Sequence, residues 1–94
     1  MNAMGTEDYM GSIGLFAGNF APKNYMDCDG ATLGISQWTA LFSILGTTYG
    51  GDGRTNFCLP DLREKDAGGK PMPFDGSRPR SVICVQGIYP SRND

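Results

Sequence analysis

Two short segments carry side chains whose types and spacing could do chemistry. Asp27-Cys28-Asp29-Gly30 sets two carboxylates around a thiol. Gly50-Gly51-Asp52-Gly53-Arg54-Thr55 is a glycine run holding one acid and one base. The first segment invites a calcium-loop reading, which needs oxygen ligands at positions 1, 3 and 5 and glycine at position 6. Ala31 and Thr32 stand at those last two positions. A polar strand face running into a turn accounts for the segment better. The same carboxylates could mimic a glycosidase pair, but neighbouring same-face positions on one strand do not straddle a sugar ring.

The glycine run invites a phosphate-loop reading. That loop needs GxxxxGK[ST] after a strand and before a helix. Here the run follows a helical pattern, precedes a strand pattern and has no lysine. The glycines are better read as a chain reversal over a helix end. Asp52 and Arg54 are then placed for a local pair or a contact between subunits.

The chain contains no histidine. The commonest general base and the commonest metal ligand are therefore missing. A Ser-His-Asp triad, a Cys-His pair and a histidine zinc site are excluded within this chain. Cys28, Cys58 and Cys84 are an odd count at wide spacing, poor for a disulfide framework or a zinc site. They read as small buried hydrophobes in reduced form. These observations predict no enzymatic activity, no cofactor and no bound metal.

The elements that must position these residues follow from periodicity. Ser12–Phe20 reads as a first strand, with Ile13, Leu15 and Ala17 on one face and Phe16 on the other. Apolar residues on two faces predict a strand covered on both sides. Ala21-Pro22-Lys23-Asn24 is a turn, with asparagine tolerating a left-handed conformation. Tyr25–Asp29 is a short second strand, and Ala31–Leu33 another extended piece after the Asp29-Gly30 turn. Ser36 is a good N-cap. Behind it Trp38, Leu41, Phe42 and Leu45 give the stripe of an amphipathic helix over about 37–45, stopped by Gly46. Asn56–Leu59 is a further strand, ended by Pro60. Ser81–Tyr89 is the last, and Val82-Ile83-Cys84-Val85 is apolar on both faces, which predicts a central place in the sheet. The expectation is an α+β domain: a small mixed sheet with one short helix, its first and last strands paired. Residues 1–11 read as a flexible arm, residues 12–94 as one domain, and 63–80 as a loop inserted in it. A loop of that length without periodicity is usually functional, disordered or a linker.

Ninety-four residues make one domain of marginal size, which oligomerisation would help. The net charge of −2 argues against a nucleic-acid partner. The 63–80 segment holds five cations against three carboxylates, too slight an excess to imply a charged partner. No apolar run approaches the roughly 18–20 residues that span a membrane. Met1 to Met10 lacks the basic and apolar regions of a signal peptide, which argues against secretion by the general route.

The chain resembles the phage tail collar family, whose bacterial members include the microcystin-dependent proteins. The match is carried by Gly14 to Pro22 (GLFAGNFAP), Cys28-Asp29-Gly30, Leu33, Ile35-Ser36-Gln37 and Thr39 to Leu62 (TALFSILGTTYGGDGRTNFCLPDL). Gln86 to Asn93 (QGIYPSRN) resembles how these proteins end. The resemblance implies a small α+β collar assembled as a homotrimer. It also implies a place in tail fibres or baseplate-like devices; the reduced cysteines, for their part, point to synthesis in the cytoplasm. Longer relatives carry a large receptor-binding segment, in some with metal-binding histidines, between the PDL motif and the terminal strand. Here only the 63–80 loop stands in that place, so neither receptor nor metal sites are carried over. Trp38 stands where the family more often has a polar residue, which marks it as an interface candidate.

The expected role is a structural collar, connector or tip whose partners are its own copies and other fibre proteins. A cell-surface glycan-binding module is the alternative. The residues expected to make contacts are Trp38, Tyr49, Asp52 and Arg54. With them go Arg63, Lys65, Lys70, Phe74, Arg78 and Arg80 from the inserted loop.

Overall fold

A computed structural model of the chain describes residues 8–74 and 78–91. Five strands and one helix follow in the order β1 (Ile13–Phe16), β2 (Tyr25–Asp27), β3 (Thr32–Gly34), α1 (Thr39–Leu45), β4 (Asn56–Cys58) and β5 (Arg80–Cys84). The expected single mixed sheet resolves into two antiparallel ones. One has the order β1-β5-β2 and the other pairs β3 with β4. Among the described residues, parallel pairing is confined to a bridge between Tyr9 and Ile88.

The first and last strands pair as expected, with Ile13 opposite Ile83 and Phe16 opposite Arg80. The last strand is also the central one, as its two apolar faces require. Ile83 and Val85 enter a cluster with Cys28, Leu33, Leu41, Phe57 and Leu59. Val82 and Cys84 enter a second cluster with Tyr25 on the opposite face. All three cysteines are free thiols. Burial pushes the Cys28 thiol up to about 12, with Asp27 and Asp29 adding to the effect. Cys84 is shifted upward by burial as well.

The expectation that β1 is covered on both sides does not hold. Ile13 is 44% and Leu15 67% exposed. The strand also ends at Phe16 instead of Phe20. The Phe16 ring folds back over Gly18, where an added Cβ would lie 2.3 Å from it, so the chain curls away from the sheet. The left-handed turn falls on Asn24, φ 71°. β5 ends at Cys84 because the backbone N–H groups of Val85 and Gln86 both converge on the Asn24 carbonyl, at 2.9 and 3.3 Å.

Helix α1 starts at Thr39, two residues later than its pattern suggests, and Ser36 does not cap it. Gln37 and Trp38 both donate to the Gly34 carbonyl, at 3.2 and 3.1 Å, so a preceding turn already satisfies those donors. Trp38 takes the N-cap position without a side-chain bond, and Gly46 ends the helix at φ 56° as expected. Leu41 is buried, and the Phe42 ring packs 5.4 Å from that of Phe57. The supposed arm is tied down from Asp8 onward. Ile88 donates to the Asp8 carbonyl (3.0 Å), Met10 to that of Ile88 (2.8 Å) and Gly11 to that of Cys84 (2.8 Å). The rest of the arm, 1–7, and the tail end, 92–94, lie outside the described residues.

Candidate functional site

The glycine loop is built around one carboxylate. Asp52 Oδ1 accepts the backbone N–H groups of Arg54, Thr55 and Asn56 at 2.8, 2.9 and 3.1 Å, and Oδ2 accepts the Thr55 hydroxyl at 3.0 Å. These donors hold the Asp52 carboxyl well below the ordinary carboxylate range. The carboxylate is thus engaged in shaping its own loop. Among the described residues it forms no ion pair with Arg54, whose backbone alone reaches it. Gly51 explains why the run must be glycine: at φ 98°, an added Cβ would sit 2.4 Å from Phe57 Cα. The loop can therefore lie flat on β4. Tyr49 is 48% exposed on its approach.

The second feature is the segment from Asp61 to Pro79. Its 64–72 part is more ordered than a bare loop. Met72 donates to the Glu64 carbonyl (2.8 Å) and Asp66 to that of Lys70 (2.9 Å), with a bridge between Lys65 and Pro71. Asp66 Oδ1 closes the turn by accepting from Gly68 and Lys70, each at 2.9 Å. At its root Arg63 grips Asp61 with two bonds, Nε to Oδ1 at 2.9 Å and Nη2 to Oδ2 at 2.7 Å. That pairing pulls the Asp61 carboxyl down to about 2. Arg78 pairs with Glu64. Lys65 and Lys70 are exposed. Two candidates of this loop, Phe74 and Arg78, come together with Glu64 at a groove of about 380 Å³, with Leu15, Leu62 and Met72 on its other walls.

Arg80 departs from its expected place on the contact surface. It is buried, 6% exposed. Its Nη1 donates to Asp27 Oδ2 at 2.8 Å and its Nε to the Gly18 carbonyl at 3.1 Å. The Phe74 ring lies 5.3 Å from the guanidinium carbon. As the first residue of β5, Arg80 fastens the β1–β2 connection and the loop to the sheet. Asp27 is accordingly an ion-paired strand residue, and its Oδ1 has no partner among the described residues. Asp29 Oδ1 accepts the Ala31 N–H at 3.2 Å, closing the turn beside Gly30. Neither carboxylate forms a ligand set: among the described residues no three His, Cys, Asp or Glu side chains converge on a point that could hold a metal.

Trp38 packs half-buried against the main core cluster. It also lines a separate cavity of about 480 Å³ with Gln37, Leu41 and Val85. The structure therefore places Tyr49, Asp52 and Arg54 on one loop, Phe74 and Arg78 on the groove, and Trp38 at the helix start. Leu15 and Leu62, which wall the groove, were not among the expected contact residues. The signal was present in Leu15: its alternation with Phe16 put it on a face that needed a cover, and the 63–80 segment covers it only partly.

Among the described residues, these arrangements set no nucleophile beside a base. What they build is a small, loop-decorated scaffold with apolar surface at one sheet edge. Comparison with curated proteins gives no match. The phage tail collar domain model matches residues 11–67, more than half of the chain, from the root of β1 through β4 to the start of the inserted segment. The chain belongs to the phage tail collar domain family, a family of structural phage-tail components rather than of enzymes.

Proposed function

We propose that this protein is a structural component of a phage tail fibre or phage-tail-like device, working as a homotrimeric collar, connector or tip. It would act outside the cell, in the virion tail or an extracellular fibre. The observation that carries the reading is the collar match over 11–67 joined to the closure of β1 on β5. With those two strands paired, the 63–79 excursion leaves and re-enters one finished domain, the position where insertions are tolerated. The short segment here makes a contact surface for neighbouring fibre chains. Trp38, Tyr49 and Arg54 supply further exposed or half-exposed contacts on the helix and glycine-loop side. The small core supports the trimer, since a chain of this size gains stability by association. Light scattering on the purified protein tests it: a mass of three chains or a multiple of three is expected, and a monomer at micromolar concentration contradicts it.

A second reading makes the groove a site for cell-surface glycan. It rests on the juxtaposition of the Phe74 ring with Glu64 and Arg78, an aromatic face beside hydrogen-bonding groups. Binding on a glycan array that is lost in Phe74→Ala supports it; an array with no signal removes it.

A further inference from the structure

The edge of the three-stranded sheet formed by β1 has no neighbour among the described residues. In the β1–β5 ladder Cys84 donates to the Ser12 carbonyl and Gly11 donates back to that of Cys84, each at 2.8 Å. Antiparallel ladders alternate residue by residue. Gly14 and Phe16 therefore aim their backbone groups at Val82 and Arg80, and Ile13 and Leu15 aim theirs outward. Outside the ladder, no backbone bond among the described residues reaches those outward groups. The opposite edge differs: β2 has three residues, and the Tyr25 N–H is already taken by the Pro22 carbonyl at 3.0 Å.

The open edge is also apolar. Ile13 and Leu15 share one face, 44% and 67% exposed, with no charged residue in β1 to repel another strand. Natural sheets usually blunt such an edge with charge, proline or a bulge. A row of outward N–H and C=O groups at strand spacing is matched by the main chain of another extended polypeptide. We propose that β1 pairs antiparallel with β1 of a second copy of this chain, about a two-fold axis through Gly14, joining two three-stranded sheets into one.

The register follows from which groups point outward. Setting Ile13 against the partner's Leu15, and Leu15 against the partner's Ile13, is the register that uses both outward-facing residues of each strand, giving about four hydrogen bonds. Both pairs set an aliphatic side chain against an aliphatic side chain on the same face, the favourable cross-strand arrangement. Gly14 meets its symmetry mate at the axis with no side chain to crowd the opposite face. Leu15 also walls the groove shared with Leu62 and Phe74, so the partner's Ile13 would extend that wall. The edge is self-complementary, as an isologous contact has to be. One four-residue edge is a small contact, and copies already held in a ring would engage several at once. The pairing itself does not require the ring.

Gly14→Cys tests the register directly. Residues facing each other at such an axis form a non-hydrogen-bonded pair with Cα atoms about 4.5 Å apart, within disulfide range. Mild oxidation should give a covalent dimer on a non-reducing gel, reversed by dithiothreitol and absent from the unsubstituted protein. Adding Leu15→Lys should reduce the cross-link at least about tenfold, since a charge at the edge opposes pairing. No cross-link above that of the unsubstituted protein overturns the proposal. Should Gly14→Cys fail to fold, light scattering decides it at the concentration chosen for cross-linking. Leu15→Lys, at an exposed site, should have half the mass of the unsubstituted protein. Equal masses overturn the β1 pairing, and equal masses of three chains leave the trimer standing. A halved mass other than three chains supports the pairing and contradicts the trimer.

Discussion

At the scale of single residues, the structure turns on a charged pair that lay out of sequence reach. Arg80 reads as one more cation in a polar loop, yet its guanidinium is buried against Asp27, 53 residues away in sequence. No local pattern announces such a pair. Removing the cation leaves Asp27, already carrying one unpartnered oxygen, without its main neighbour. Arg80→Met should cost about 2–3 kcal/mol in urea unfolding, less than a fully buried pair because Asp27 keeps some contact with water. Arg80→Met with Asp27→Leu should recover most of that loss; a double variant as unstable as the single one contradicts the pairing as the cause. Asp61 makes the pH-dependent counterpart. Its folded carboxyl titrates near 2 against an ordinary 3.8. A depressed carboxylate contributes stability above the ordinary value and loses it as pH falls through the folded one. The urea midpoint should therefore fall between about pH 4 and pH 2, and Asp61→Asn should flatten that window. Asp52 sits lower still, so it too loses stability across this window and on below it, and that part of the slope should remain in Asp61→Asn. An unchanged slope in Asp61→Asn would show that Arg63 does not hold the carboxylate.

At the scale of elements, periodicity locates the strands and the helix, and the ends are the weak point. The reason is physical: each end is set by a distant carbonyl or a close approach. β5 stops where two N–H groups meet Asn24, and β1 stops where Phe16 covers Gly18. Ser36 has the right type for a cap, but the turn from Gly34 has already taken the donors. Ser36→Ala should accordingly change stability by no more than about 0.5 kcal/mol, where a true N-cap loss costs about 1. A larger loss in a thermal melt would restore the cap. The glycine loop is the reversal that its composition suggests, and its tightest point is Gly51. Gly51→Ala should cost roughly 3 kcal/mol, combining left-handed strain with a collision against the β4 backbone. Gly46→Ala has the same sign of φ with open space around it, and should cost only about 1 kcal/mol. Equal losses at the two sites, by calorimetry, would mean that the loop does not lie on β4.

At the scale of the whole molecule, the pairing of the chain's first and last strands makes one closed domain of a sequence whose middle holds the recognisable collar. The resemblance carried by GLFAGNFAP and TALFSILGTTYGGDGRTNFCLPDL is legible in the residues themselves, because these are the segments that fix the turns and the core. The groove is not legible in that way. It needs Leu15 from β1, Leu62 after β4 and Phe74 from the insertion, three residues that no spacing rule brings together. The same holds for the free β1 edge, which depends on what fails to cover it. A collar of this size, with apolar surface left at 67% of Leu15, is a unit that gains by association. The most direct measurement is the mass of the Leu15→Lys protein by light scattering, which leaves the ring and removes the edge contact. Three chains is the result expected of a collar, and a single chain at micromolar concentration contradicts it.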